Sequence, residues 1–148
     1  GIGSKPLAVS CGKARLQVLS WQARLMLQQI GLVALGGAFG AALRYAVSEF
    51  FASDSFPYAT LSVNLIGSFL LGILAVGLAQ NLLTSNMALL LGTGVLGAFT
   101  TMSTFSVETI QMFDQGNTTS AMVYVVITMM LSPVLALLGW KVAESVFA

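Results

Sequence analysis

Long apolar runs alternate with short polar punctuation along this chain, and the runs have the length of membrane crossings. A transmembrane helix needs about 20 mostly apolar residues to cross a hydrocarbon core of about 30 Å. Four windows meet that requirement: residues 27–50, 59–79, 87–112 and 119–140. The first is closed by Ser53, Asp54 and Pro57, the second by the polar QNLLTSN stretch, and the third by DQGNTT. Links this short place neighbouring helices antiparallel, so the pattern predicts an all-α integral membrane protein with a single compact four-helix domain over residues 27–148. Residues 1–26 read differently. They carry Lys5, Lys13, Arg15 and Arg24 with no acidic residue, and their apolar content is too interrupted for a secretory signal. They are expected to form a basic N-terminal extension or leader that favours a cytoplasmic N-terminus, because the loops between spans hold almost no Lys or Arg.

Composition narrows the field. Only 7% of the 148 residues are charged, against about 25% in ordinary soluble domains. With no His and a single Cys, there is no Ser/His/Asp triad, no Cys/His pair, no zinc site and no intramolecular disulfide, so enzymatic hydrolysis is not expected. A net charge of +1 provides no basic surface for nucleic acid.

The informative residues are those that do not suit lipid. Thr60, Asn64 and Ser68 fall at i, i+4 and i+8 on the second span, and a buried amide there must face protein, water or a ligand. Ser68 with Gly72 reads instead as part of a small-residue helix contact. In the third span, Gly92, Gly94 and Gly97 precede five hydroxyl residues in seven, Thr100, Thr101, Ser103, Thr104 and Ser106. Such a segment is either a helix break whose freed carbonyls and amides coordinate ions, or an intact helix whose hydroxyls bond back to their own i−4 carbonyls. Tyr124, Thr128 and Ser132 form a second hydroxyl row at i, i+4 and i+8, just before Pro133. That row is either a relay of hydrogen-bond donors for a desolvated anion or a set of helix contacts. Arg44, near the end of span one, either snorkels to the headgroups or attracts anions at a vestibule. Glu108 reads first as a structural partner or end cap and second as a proton site. Gly36 and Gly40 make a GxxxG pair marking a close helix crossing, and polar stripes on three short spans make a dimer the economical way to satisfy them.

The segments GGAFGAALRY (36–45), ATLSVNLIGSFLLG (59–72) and GVLGAFTTMSTFSVE (94–108), in this order on four spans, resemble the Fluc (CrcB) family of fluoride channels. The resemblance covers about residues 30–145, and its specific element is the TTxSTFSxE segment after the glycines. It implies a broken third helix and an antiparallel, dual-topology homodimer in the bacterial inner membrane, surrounded by lipid. It also implies passive export of cytoplasmic fluoride and a central structural sodium ion (Na+). Carried onto this chain, the sodium carbonyls would be those of Gly97 and Thr100, and the pore asparagine Asn64 with Thr60 one turn away. The phenylalanine-box positions would be Met102 and Phe105, the polar track Tyr124, Thr128 and Ser132, and the vestibule arginine Arg44. One position departs from the family pattern, since TTFSTF reads TTMSTF here. A phenyl edge is positively polarised and a thioether has no equivalent, so Met102 predicts slower or less selective permeation at that point.

Two other classes compete. A small multidrug-type proton-coupled transporter also has four short spans, but it needs an acidic residue inside the bundle, and the first span offers only the terminal Glu49. A non-transporting membrane scaffold subunit would use the hydroxyl rows for helix contacts alone.

Overall fold

The structure, a computed structural model, describes residues 6–147 other than Ala52 and Asp54, with side chains described from residue 17 onward. It is all-helical among the described residues. Helix α1 spans Pro6–Phe50, α2 Tyr58–Ala79, α5 Met102–Asp114 and α6 Thr118–Phe147. Between α2 and α5 lie a short α3 (Ser85–Ala88), a wider π-helical stretch (Leu89–Leu96) and a single turn α4 (Gly97–Phe99). Four segments are long and apolar enough to cross a membrane: Gln17–Phe50, Tyr58–Ala79, Ser85–Asp114 and Thr118–Phe147.

Each predicted window falls inside one of these segments, and the helices run longer than the windows. The stretch expected as a separate extension continues directly into the first span: the only glycines or prolines between Pro6 and Gly36 are Gly12 and Gly31, and the residues between those two are mostly good helix formers. At the far end α6 passes Trp140 and continues to Phe147. There Glu144 accepts hydrogen bonds from Lys141 Nζ and Trp140 Nε1, each 2.7 Å, giving the polar groups partners as the helix leaves the apolar zone.

Two glycine crossings set the arrangement. α1 lies chiefly against the third span, and α2 against α6. A side chain at Gly36 would collide with the Leu90 carbonyl oxygen, and one at Gly40 with that of Val95, so the GxxxG face does mark a close crossing. Gly72 and Gly139 play the same part between α2 and α6, against the carbonyls of Ala136 and Phe69. Backbone thus approaches backbone at both seams. A small side-chain core of Phe105, Met112, Ala121 and Tyr124 closes the end where α5 meets α6, with Phe56, Leu61 and Val125 against it.

Candidate functional site: an interrupted helix between two grooves

Helical backbone stops at Thr100 (φ −77°, ψ 154°) and Thr101 (φ −151°, ψ 111°), both extended, and resumes at Met102. An interruption at this point would strand backbone donors and acceptors, which inside a membrane cost several kcal/mol each. Side chains from other elements meet them. Asn64 on α2 accepts at Oδ1 from the Thr101 N–H (2.8 Å), replacing its missing helical partner, and donates from Nδ2 to the Thr101 carbonyl (3.1 Å), which as the N-cap carbonyl already receives the first bond of α5. Arg44 on α1 donates from Nε to the Ala98 carbonyl (3.1 Å) at the C-terminal end of α4, where the helix dipole favours a cation. The Thr101 hydroxyl caps α5 by accepting from the Thr104 N–H (3.2 Å), and itself donates to Thr104 Oγ1 (2.9 Å).

These substitutions leave carbonyls over. In a continuous helix the Gly97 carbonyl would receive the Thr101 N–H, and the Thr100 carbonyl the Thr104 N–H. Here those two donors go to Asn64 and to the Thr101 hydroxyl instead. The donor set left at Gly97 and Thr100 is neutral carbonyl oxygen, which suits a hard monovalent cation. Among the described residues no group of three or more His, Cys, Asp or Glu side chains is placed to hold a metal.

In the hydroxyl-rich segment, bonding back to the chain's own carbonyls occurs beside the extended residues Thr100 and Thr101. Thr100, Ser106 and Thr109 bond back to the carbonyls of Leu96, Met102 and Phe105, as does Ser68 to that of Asn64. Sequence reasoning counted Thr101 among the hydroxyls of the third span but gave it no site role. The available signal was its cap position: Thr101 is followed three residues later by Thr104, at the start of a helical run.

Two grooves flank the interruption. One, of about 390 Å³, is lined by Asn64, Ser68, Gly97, Thr100, Thr101, Met102, Thr128, Ser132 and mostly apolar neighbours. Met102 is 58% exposed and stands in its wall. The Thr128 hydroxyl is buried with no hydrogen-bond partner among the described residues. The other groove, of about 510 Å³, opens at the end near the α1–α2 loop and is lined by Ser48, Ser55, Thr60, Thr104, Glu108, Gln111 and their neighbours.

A buried polar cluster lies beside the second groove. Glu108 accepts from Thr60 Oγ1 at Oε1 and from the Tyr124 hydroxyl at Oε2, both at 2.7 Å. Glu108 is therefore a structural partner joining α2, α5 and α6. Phe105 is only 4% exposed, and its ring lies 4.9 Å from that of Tyr124, tilted by 54°. The row of hydroxyls on α6 is thus divided. Thr128 and Ser132 face the first groove, while Tyr124 is tied to Glu108.

Four membrane-length helices, with a mostly apolar groove and a more polar one beside an interrupted third span, define a small multi-pass integral membrane protein. Residues 31–140 match the family model described as CrcB-like protein, Camphor Resistance (CrcB). The chain is 44% identical over 110 residues to the fluoride-specific ion channel FluC 1 of Desulfitobacterium hafniense (strain Y51), covering 73% of this chain and 96% of that protein. It is 41% identical over 120 residues to the fluoride-specific ion channel FluC of Clostridium perfringens (strain 13 / Type A), covering 78% and 94%. With FluC 2 of Bacillus cereus (strain ATCC 10987 / NRS 248) it shares 44% over 113 residues, covering 74% and 92%. The chain belongs to the CrcB family, whose members are ion channels and not enzymes. In a bacterium such a multi-pass protein resides in the inner membrane.

Proposed function

We propose that this chain is a fluoride-selective passive channel that lets cytoplasmic fluoride leave the cell, working as an antiparallel, dual-topology homodimer. The observation that carries the reading is the unpartnered Thr128 hydroxyl beside Asn64 and Ser132 in one groove, in a chain so similar to proteins named as fluoride channels. Fluoride is small and strongly hydrated, so a pore has to replace its water with several donors. Thr60 and Tyr124 already donate to Glu108, which leaves the second Asn64 amide hydrogen and the hydroxyls of Thr128 and Ser132 as the free donors. Met102 borders the same groove, and Phe105, packed against Tyr124 one turn further along α5, would supply a ring edge to the pathway.

The interruption of the third span has a second use under this reading. The freed carbonyls of Gly97 and Thr100 would hold a structural sodium ion, and because one chain offers so few ligands, a second copy would complete the set. A bound cation would neutralise carbonyl charge between the two copies and fix their relative position. Arg44 is tied to the Ala98 carbonyl and would add positive potential near the pathway. Both oxygens of the half-buried Glu108 accept hydrogen bonds, which leaves the carrier alternative without a free carboxylate there, and no observation favours the scaffold.

The test is fluoride efflux from liposomes loaded with KF, with valinomycin carrying potassium and a parallel KCl control. Fast fluoride release with chloride retained is the expected result. Retention of both ions by the folded, reconstituted protein, unchanged by Met102→Phe, would overturn the reading.

A further inference from the structure

Residues 17–30 of α1 lie before the family match and serve no contact within the bundle. Every one of them is exposed, among them Val18, Leu19, Trp21, Leu25, Met26, Leu27 and Ile30, each at least 45% exposed. The first membrane-length segment has 34 residues, which at about 1.5 Å per residue is about 51 Å of helix for a core of about 30 Å. Tilt does not absorb the excess. It would take more than the observed limit of about 40°, and the part of α1 from Gly36 onward is held against the third span. Some 20 Å of apolar-rich helix would therefore stand upright in water, an unfavourable arrangement.

We infer that this segment lies along an anionic lipid surface, folded down at Gly31, as an interfacial helix. Three observations support that occupant over any other. Charge is one: Arg24 within the segment, and Lys5, Lys13 and Arg15 in the sequence before it, all precede the first acidic residue of the chain, Glu49, so the basic stretch up to Ile30 complements anionic headgroups. Patterning is another, because Gln17, Ser20, Arg24 and Gln28 share one stripe of the helix while Leu19, Ala23, Met26 and Ile30 lie away from it, with Trp21 at the border where interfacial indoles sit. The third is Gly31 itself. A side chain there would meet nothing within 4 Å, unlike Gly36 and Gly40, so no neighbour demands this glycine and the backbone next to the membrane boundary is free to bend.

The segment is separate from the ion pathway, so failure of the lipid contact would leave the fluoride reading intact. The experiment uses the full chain with Trp140→Phe, so that Trp21 is the sole indole. It is reconstituted into vesicles of phosphatidylcholine with or without phosphatidylglycerol. The expected result is a blue-shifted Trp21 emission, protected from aqueous iodide and quenched by lipids brominated at shallow acyl positions. The effect should be larger with phosphatidylglycerol and reduced in a Lys13→Gln, Arg15→Gln, Arg24→Gln variant that elutes like the parent. Iodide-accessible Trp21 in both vesicles would overturn the inference by showing an upright helix. Protection from iodide without quenching by brominated lipid, together with cross-linking between copies at position 21, would overturn it in favour of a protein partner. Equal lipid quenching with and without phosphatidylglycerol, unchanged in the triple variant, would remove the anionic preference.

Discussion

Asn64 serves two purposes at once, and a single atom exchange separates them. Asn64→Asp keeps an acceptor for the Thr101 N–H but sets a carboxylate oxygen against the Thr101 carbonyl, where Nδ2 now donates. A lost buried hydrogen bond costs about 1–3 kcal/mol, so the variant should melt lower in a thermal unfolding assay and lose fluoride flux, through both the geometry and the added negative charge. Thr128 makes the opposite case. Its hydroxyl has no protein partner, so Thr128→Val breaks no internal hydrogen bond, and stability should hold within about 0.5 kcal/mol while fluoride efflux falls. Loss of stability with unchanged efflux would mean that the hydroxyl is structural. The sequence announced both residues by type, since an amide and hydroxyls are costly in lipid. It did not announce their partners, because the partners of Asn64 are backbone atoms of a residue 37 positions away. For the same reason nothing in the α6 pattern distinguished Tyr124, which serves Glu108, from Thr128, which faces a groove.

At the scale of elements, glycine determines which helices touch. Gly40 brings α1 against the Val95 carbonyl, so Gly40→Leu should separate α1 from the third span and destabilise the fold by about 1–3 kcal/mol, seen as a lower melting temperature and a loss of the folded elution peak. Gly37→Ala, one position along, is the control, since its side chain would only reach ordinary contact with Ala98. The helix windows and the GxxxG crossing were legible because hydropathy and small residues are local signals. The π-helical stretch Leu89–Leu96 was not, since its hydrogen-bond register depends on how two backbones meet at Gly36 and Gly94. Helix ends were also obscured, as at α6, where the Lys141 and Trp140 contacts to Glu144 carry the helix past the apolar window.

For the whole molecule, charge bears on assembly. Five of the six Lys and Arg residues, Lys5, Lys13, Arg15, Arg24 and Lys141, lie in the sequence before the first family-matched span or after the last, and four spans return the chain to its starting side. The sixth, Arg44, is engaged with Ala98. Positive residues are retained in the cytoplasm, so most copies should insert with the termini inside. The proposed antiparallel pair would need both orientations, so under that proposal the basic segment should limit how many pairs form. Replacing Lys5, Lys13, Arg15 and Arg24 with Gln is expected to bring labelling of the single cysteine, Cys11, by an impermeant maleimide closer to equal from the two sides, and to raise fluoride efflux per chain. One-sided labelling that does not respond to the substitutions would separate orientation from this charge.

The link between Asn64 and Thr101 also bears on how the protein is made. A membrane helix normally leaves the insertion machinery with its backbone already satisfied, but the third span cannot do so alone: the N–H of Thr101 has its partner on the span synthesised before it. The second span must therefore still be close by when the third emerges, and the two should enter lipid as a hairpin. Biogenesis of this small chain is in that sense ordered by one side-chain amide, and a stalled ribosome displaying only the first two spans would hold Asn64 in wait for a backbone not yet made.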